Sequence, residues 1–426
     1  MAPKWAIALS VTTWGASSGG GSTLAEKNVE VIKQVTSKIK QLNNPDLCFA
    51  LQNITKRDPA TFECEIEYSI DGAAPTRTDK NVIVGKGKYL DDFVKWVDAT
   101  TKSDNIILWM ISHGVASIQT FQTPEGEHWE IPERFFEDVI VTSPTDHPKP
   151  KRFGNQPART LIPPMRTGQI LSGRTRASTS VLSWSDKVQV TSREFGDALK
   201  NNNPKLAVFL LQSCQAGGID LIDALASNAA ATHVVASATN LPVPSAEHET
   251  WIGNLATSLT ASRATVADLI AKALADKAST ASNVSGWLAV SRAIVYSAEL
   301  SHVPQFETEF AAMVKAVHDK MKADTNFAKR FRDWIVDPKN AVAAQSSRVA
   351  VNELIQFVKT QLTNAEFDST DLQKSHDALF RTMVETPPGS RLMSASLQTL
   401  THNQPPNDFC NRTKWLELLG AVGRTV

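Results

Sequence analysis

Two uninterrupted apolar runs, Ile106–Ile111 (IILWMI) and Leu206–Leu211 (LAVFLL), constrain this 426-residue chain more than any other feature. A run of six is far short of the roughly 18 residues a membrane span needs. Each run therefore predicts a strand buried on both faces. Such strands belong to sheets covered by helices on both sides, so the chain is expected to be α/β.

The flanking sequence agrees. Lys4–Thr13 (KWAIALSVTT) predicts a strand, followed by a Gly-rich turn and a helix with Val29, Ile32, Val35, Ile39 and Leu42 on one face. Asn43, Asn44 and Pro45 stop that helix, and Leu47–Ile54 predicts a second strand. Phe62–Ile70 alternates and predicts a half-buried edge strand paired with Asn81–Val84. Leu90, Phe93, Val94 and Val97 mark a helix leading into the first apolar run. Before the second run, Thr191 and Glu194 form a capping box. After it come a helix over 219–228, a strand at His233–Ala238, a helix through Val266–Leu274 and a strand at Arg292–Ala298. Beyond residue 300 the periodicity is helical: Phe306, Phe310, Met313, Val314, Val317 and Met321, then Phe327, Phe331 and Trp334, then Leu354, Ile355, Val358 and Leu362. The expectation is an α/β domain over 1–300, with a mainly parallel sheet of about six strands, and a helical subdomain over 301–426.

Composition narrows the function. A hydrophobic fraction of 42% with 21% charged residues supports a sizeable core. Lys and Arg number 44 against 44 acids, which argues against generic nucleic-acid or membrane-surface binding. The N-terminal stretch offers no cleavage-site pattern of a signal peptide. Four cysteines, at 48, 64, 214 and 410, are too few and too scattered for a disulfide framework. The expected compartment is the cytoplasm, and each cysteine needs its own explanation.

In an open α/β sheet, ligands gather at the carboxyl ends of the strands. The first apolar run leads into Ser112-His113-Gly114; the second leads into Gln212-Ser213-Cys214, then Gln215-Ala216-Gly217-Gly218. A lone cysteine at a strand end is usually a small core residue, and a lone His-Gly a turn. A thiol and an imidazole together at the ends of two such strands supply a nucleophile and its base. A helix starting just past Cys214 favours the thiolate. The N–H groups of Gly114 and Cys214 are candidate oxyanion donors, and Ala216, Gly217 and Gly218 let a substrate backbone approach. Cys48 and Cys64 sit in alternating strand patterns and Cys410 in a polar tail, so all three are expected to be structural.

These residues carry a resemblance. Phe93-Val94-Lys95-Trp96, then IILWMISHG, then LAVFLLQSC with Gly217-Gly218 resemble the cysteine peptidases of the caspase fold, the clostripain family above all. The opening KWAIALSV, the strand HVVASAT and Ser297-Ala298-Glu299-Leu300 fit the same pattern. The resemblance is spread over roughly 1–320, most specific around His113 and Cys214. It implies a caspase-like α/β fold, a Cys214–His113 dyad, endopeptidase activity on protein or peptide substrates, and maturation cleavage between the two half-motifs. It also places Gln212, Ser237, Ala238 and Thr239 around the pocket for the residue preceding the scissile bond (P1).

Two departures stand out. Clostripain-like enzymes carry Asp two residues before the nucleophile, where it meets a P1 Arg or Lys; here that residue is Gln212. A neutral amide gives a desolvated cation no charge-assisted partner. Strict basic specificity is thus expected to weaken unless Asp220, Glu247 or Glu249 enters the pocket. The second departure is spacing, because His113 and Cys214 stand 101 residues apart. Pro144–Arg176 holds six prolines and seven basic residues (Lys149, Lys151, Arg152, Arg159, Arg166, Arg174, Arg176) against one acid, Asp146. Within a wider insert at 144–183, it is either a solvated insertion, a docking patch for an acidic partner or an activation-cleavage loop. Its position favours cleavage, and a zymogen activated by another protease or regulator.

Other chemistry is less well supported. Trp14–Gly21 (WGASSGGG) resembles the Gly-rich turn of short-chain dehydrogenases. None of the three tyrosines (68, 89, 296) has Lys four residues on, so an NAD(P)-dependent reductase remains only an alternative. Gly85-Lys86-Gly87-Lys88 lacks P-loop spacing. The nine histidines form no H-E-x-x-H, and no C-x-x-C occurs. No cofactor or metal is expected, with calcium left open through the resemblance. A caspase-fold interaction module with a vestigial dyad is the other alternative.

Overall fold

The computed structural model describes residues 3–13, 23–57, 63–83, 87–111, 113–115, 118–123, 126–130, 173–176, 181–185, 188–190, 192–213, 217–238, 247–280, 293–337, 340, 348–386, 394–398 and 408–422. The first part of the chain supplies β1 (Trp5–Thr12), α1 (Thr23–Leu42), β2 (Leu47–Arg57), β3 (Glu63–Ile70), β4 (Arg77–Ile83), α2 (Lys88–Thr101) and β5 (Asn105–Ile111). Short strands follow: β6 (His113–Val115), β7 (Ile118–Thr123), β8 (Gly126–Glu130), β9 (Gly173–Arg176), β10 (Val181–Ser185) and β11 (Val188–Val190). Alternation resumes with α3 (Ser192–Ala198), β12 (Leu206–Gln212), α4 (Ile219–Ser227), β13 (His233–Ser237), α5 (Glu247–Thr257), α6 (Arg263–Thr280) and β14 (Ala293–Glu299). The last part holds α7 (Val303–Ala323), α8 (Thr325–Val336), β15 (Arg348–Ala350), α9 (Val351–Gln361), α10 (Thr370–Leu379), β16 (Phe380–Thr386), β17 (Ser396–Gln398), α11 (Asp408–Arg412) and α12 (Trp415–Ala421).

Among the described residues, nine strands form the main sheet, in the order β16–β14–β13–β12–β5–β1–β2–β3–β4. The central five, β13, β12, β5, β1 and β2, are parallel. β3 and β4 extend one side antiparallel, and β14 and β16 the other. The two apolar runs are neighbours at the centre, β12 beside β5, and every residue of β12 is buried. Burying each such Leu, Val or Phe contributes about 1.5–3 kcal/mol before entropy is counted.

Strand alternation sorts the core into two layers. On one face Ala6, Ala8, Leu108, Met110, Phe209 and Leu211 pack with α2, α3, α4 and α7. On the other, Ile7, Leu9, Ile107, Trp109, Val208 and Leu210 pack with α1, α5 and α6. The small Ala6 and Ala8 on the first face leave room for Phe93, which packs 5.9 Å from Tyr68. α7 buries Phe306, Phe310, Met313, Val314 and Val317, the repeat seen in the sequence. α8 is capped by Asp324, whose carboxylate accepts from the N–H groups of Asn326 (2.9 Å) and Phe327 (3.0 Å).

The sheet is wider than the six or so strands expected. Phe62–Ile70 is not an edge strand: β3 lies between β2 and β4, and β4 is the edge. Its alternating burial arises because Cys64, Ile66 and Tyr68 face a helix-covered side. The region after 300 is not purely helical either. β16 pairs antiparallel with β14, matching Tyr296 with Met383, so the C-terminal region completes the sheet. Its run FRTMVET is short and mostly polar, and only pairing with a buried neighbour makes it a strand.

Candidate functional site

The parallel strands all end on the same side of the sheet, and register sets the site's geometry. Met110 stands opposite Leu211, and Ile111 opposite Gln212. His113 comes two residues after Ile111, and Cys214 two residues after Gln212. His113 opens β6, whose backbone pairs antiparallel with β10: His113 opposite Ser183, Gly114 opposite Leu182. The end of the long insert thus lies along the histidine strand. Arg174 and Arg176 fall on β9, paired with Thr120 and Ile118 of β7. Cys214, Thr239, Thr191, the Trp14–Gly21 turn and Lys149, Lys151, Arg152, Arg159 and Arg166 lie outside the described residues.

Gln212 takes the side-chain face of Val208 and Leu210, toward α5. Its carbonyl accepts from the Trp109 indole N–H at 2.9 Å, and its amide nitrogen donates to the Glu247 carboxylate. Gln212 and Glu247 are both buried, as a carboxylate can be where it is hydrogen-bonded. Both ends of the amide are therefore committed, and Gln212 serves to hold an acid. Of the three acids considered from sequence, Glu247 alone meets it. Asp220 accepts from Ser192 Oγ (2.7 Å), joining α3 and α4 on the opposite face of the sheet, and Glu249 is exposed.

Trp109 also packs edge-on against Trp251 (5.3 Å between centroids) and lies 5.7 Å from the His248 ring. Burial pushes the His248 imidazole down to about 4, so it is neutral at pH 7. Among the described residues its ring nitrogens find no hydrogen-bond partner, nor does the buried Ser213 hydroxyl.

The turn after β12 is held from two sides. Gly217 N–H donates to the Ser237 carbonyl at 2.7 Å, and the Gly217 carbonyl accepts from Ser396 N–H at 2.9 Å. A Cβ on Gly217 would stand 2.7 Å from the Ser237 carbonyl carbon, closer than packing allows, so glycine is required. Gly218 forms a parallel bridge with Ser396 and caps the start of α4. Ser237 and Ala238 are buried beside this turn.

The remaining thiols, Cys48, Cys64 and Cys410, are buried and not disulfide-bonded. Burial, reinforced by Asp71, pushes Cys48 up to about 12, which keeps it protonated and inert. Among the described residues no cluster of three or more His, Cys, Asp or Glu could hold a metal. None of their helices is long and apolar enough to cross a membrane. The sequence named Gln212 and Glu247 separately but carried no signal for Trp109, which lies 103 positions from Gln212, or for Ser396, 179 from Gly217.

No family model matches the sequence, and no curated protein sequence matches it. Solved structures do. A secreted C11 cysteine protease from Bacteroides thetaiotaomicron, in complex with an irreversible peptide inhibitor, aligns over 99% of both chains with a TM-score of 0.54 at 11% identity. An inactive zymogen C11 protease from Parabacteroides distasonis aligns over 98% of this chain and 96% of its own, with a TM-score of 0.52 at 8% identity. At such identities the likeness is one of fold, and it extends through the C-terminal region. The chain has the caspase-like α/β fold of the C11, clostripain-family, cysteine proteases.

Proposed function

We propose that this protein is a cysteine endopeptidase in which Cys214 is the nucleophile and His113 the acid and base. The observation that supports the proposal is the register of β5 with β12, which sets Ile111 opposite Gln212 at the carboxyl end of the sheet, each two residues ahead of His113 and Cys214 in the sequence. His113 takes the proton from Cys214 Sγ, and the thiolate adds to the scissile carbonyl carbon. The N–H groups of Gly114 and Cys214 stabilise the oxyanion, and the imidazolium protonates the departing amine. Water, deprotonated by the same imidazole, then releases the acyl group from sulfur. No cofactor enters this sequence of steps, and calcium dependence is open to a chelation assay.

Gln212, Glu247, Ser237, Ala238 and Thr239 belong to the P1 pocket in this reading, with Glu247 its negative charge. The 144–176 segment is the activation loop, cut by a separate protease, and the setting is the cytoplasm. The zymogen form and peptide-inhibitor complex belong to the C11 structures, and they support this reading by analogy of fold. The deciding experiment is Cys214→Ala: peptide hydrolysis should vanish while circular dichroism stays native. Full turnover in that variant refutes the proposal. A native chain that hydrolyses nothing and resists a thiol-directed peptide probe at Cys214 points to the vestigial module instead.

A further inference from the structure

Gly217, three residues past Cys214, is fastened to two distant parts of the chain. Its N–H goes to Ser237 at the end of β13, and its carbonyl takes the N–H of Ser396, 179 positions later. The Ser396 hydroxyl lies 3.4 Å from the same carbonyl. Ser396 is buried and belongs to β17, which pairs with β15 on its other side (Ser396 opposite Ala350). Its N–H is spent outward, on the turn. A second tie lies one helix further on. Arg412 of α11 donates from Nη2 to Asp223 of α4 at 2.6 Å, and from Nε and Nη2 to Glu307 of α7 at 2.6 and 2.8 Å. α4 is the helix that starts immediately after this turn, so both ties converge on the same piece of backbone.

On the other side the turn begins at Gln212, fixed by its pairing with Ile111 and by Trp109 and Glu247. We propose that the segment carrying Ser396 and Arg412 positions the nucleophile turn for catalysis. Ser396 is a positioning residue acting through Gly217, and Arg412 one acting through α4. The inference rests on the reading of Cys214 as nucleophile. The physical reason is that the Cys214 N–H is itself a candidate oxyanion donor, and displacing a reacting group by about 1 Å costs roughly 100-fold in rate. The acid-bearing side of the pocket, Gln212 and Glu247, is built on β12 and α5, which neither tie touches. Loosening the ties should therefore lower kcat and leave KM.

The test compares full-length variants on one peptide substrate at 25 °C. Ser396→Ala keeps the N–H and should stay within about threefold of wild type, the hydroxyl contact being weak. Ser396→Pro deletes the N–H and should lower kcat roughly 10- to 100-fold with KM within about threefold. Peptide mapping after iodoacetamide treatment reports folding independently, because buried Cys48, Cys64 and Cys410 stay unlabelled only in a folded chain. Wild-type kcat in a folded Ser396→Pro chain overturns the inference. If labelling shows that this variant is unfolded, Arg412→Ala decides: kcat should fall about three- to tenfold at constant KM, with partial recovery in Arg412→Lys. Wild-type kcat in Arg412→Ala then overturns it. Hydrolysis that persists in Cys214→Ala overturns the nucleophile reading beneath it.

Discussion

The Arg412–Asp223 pair makes a quantitative prediction about stability. The Asp223 side chain is only 5% exposed, and burial pushes its carboxyl up to about 6 from an ordinary 3.8, even with Arg412 at 2.6 Å. A rise of that size means the ionised form costs the fold about 3 kcal/mol at neutral pH, at 1.36 kcal/mol per unit. The direction follows from proton uptake. Between the unfolded and folded values the native state holds a proton that the unfolded chain has released. This group's contribution to stability therefore improves as pH falls from above 6 toward 3.8. Arg412→Ala removes the nearest compensating charge, and Asp223 should rise further. Breaking a buried pair from one side costs about 3–5 kcal/mol; Arg412 is itself 43% exposed, so we expect about 2–3 kcal/mol at pH 7.5. With an unfolding entropy of about 2.1 cal/mol/K per residue, that lowers Tm by roughly 2–3 °C. At pH 5 Asp223 is protonated in both proteins, and the loss should shrink to about 1 °C or less, the worth of neutral hydrogen bonds and the Glu307 contact. Scanning calorimetry of both proteins at the two pH values reads this directly. An equal loss at both pH values, or none at pH 7.5, refutes the reasoning. Asp223→Asn in the Arg412→Ala background should restore much of the loss at pH 7.5.

Three further outcomes follow from the same geometry. Glu247→Gln should depress kcat/KM for P1 Arg and Lys peptides by about 100-fold, the worth of a buried charge-assisted pair, and leave apolar P1 peptides within about threefold in a peptide-library profile. Gly217→Ala forces a Cβ against the Ser237 backbone, and the strain of about 1–3 kcal/mol should appear as a lower urea midpoint together with slower turnover. Controlled proteolysis within 144–176 should yield a two-chain protein with higher peptidase activity; a nicked form less active than the intact one removes the activation-loop reading.

The parallel centre was legible because its strands have no solvent face. IILWMI and LAVFLL are continuous apolar runs of strand length, and the helical spacing of Ile32, Val35, Ile39 and Leu42 marks α1, although the structure buries Val31 rather than Val29 at its start. β16 was not legible, since its strand state comes from pairing with β14 rather than from its own composition. The same limit applies at the site. Gln212 announced itself as a substitution at a charged position, and Glu247 as one of three acids, but their contact spans 35 residues with no periodic trace. Trp109 reads as one more apolar residue in a strand, although its indole N–H fixes the Gln212 carbonyl. Local pattern reports which face a side chain takes; it does not report which distant polar group will be waiting there.

The tie between Gly217 and Ser396 also has a consequence in time. The two residues are separated by 179 positions, which a ribosome adding 5–20 residues per second covers in roughly 10–35 s. Throughout that interval β12, β5 and both half-motifs exist while the strand that holds the turn does not. The outer strand β16 is missing for most of it as well. The turn after β12 therefore gains this backbone anchor only after a further 179 residues have been added to the chain.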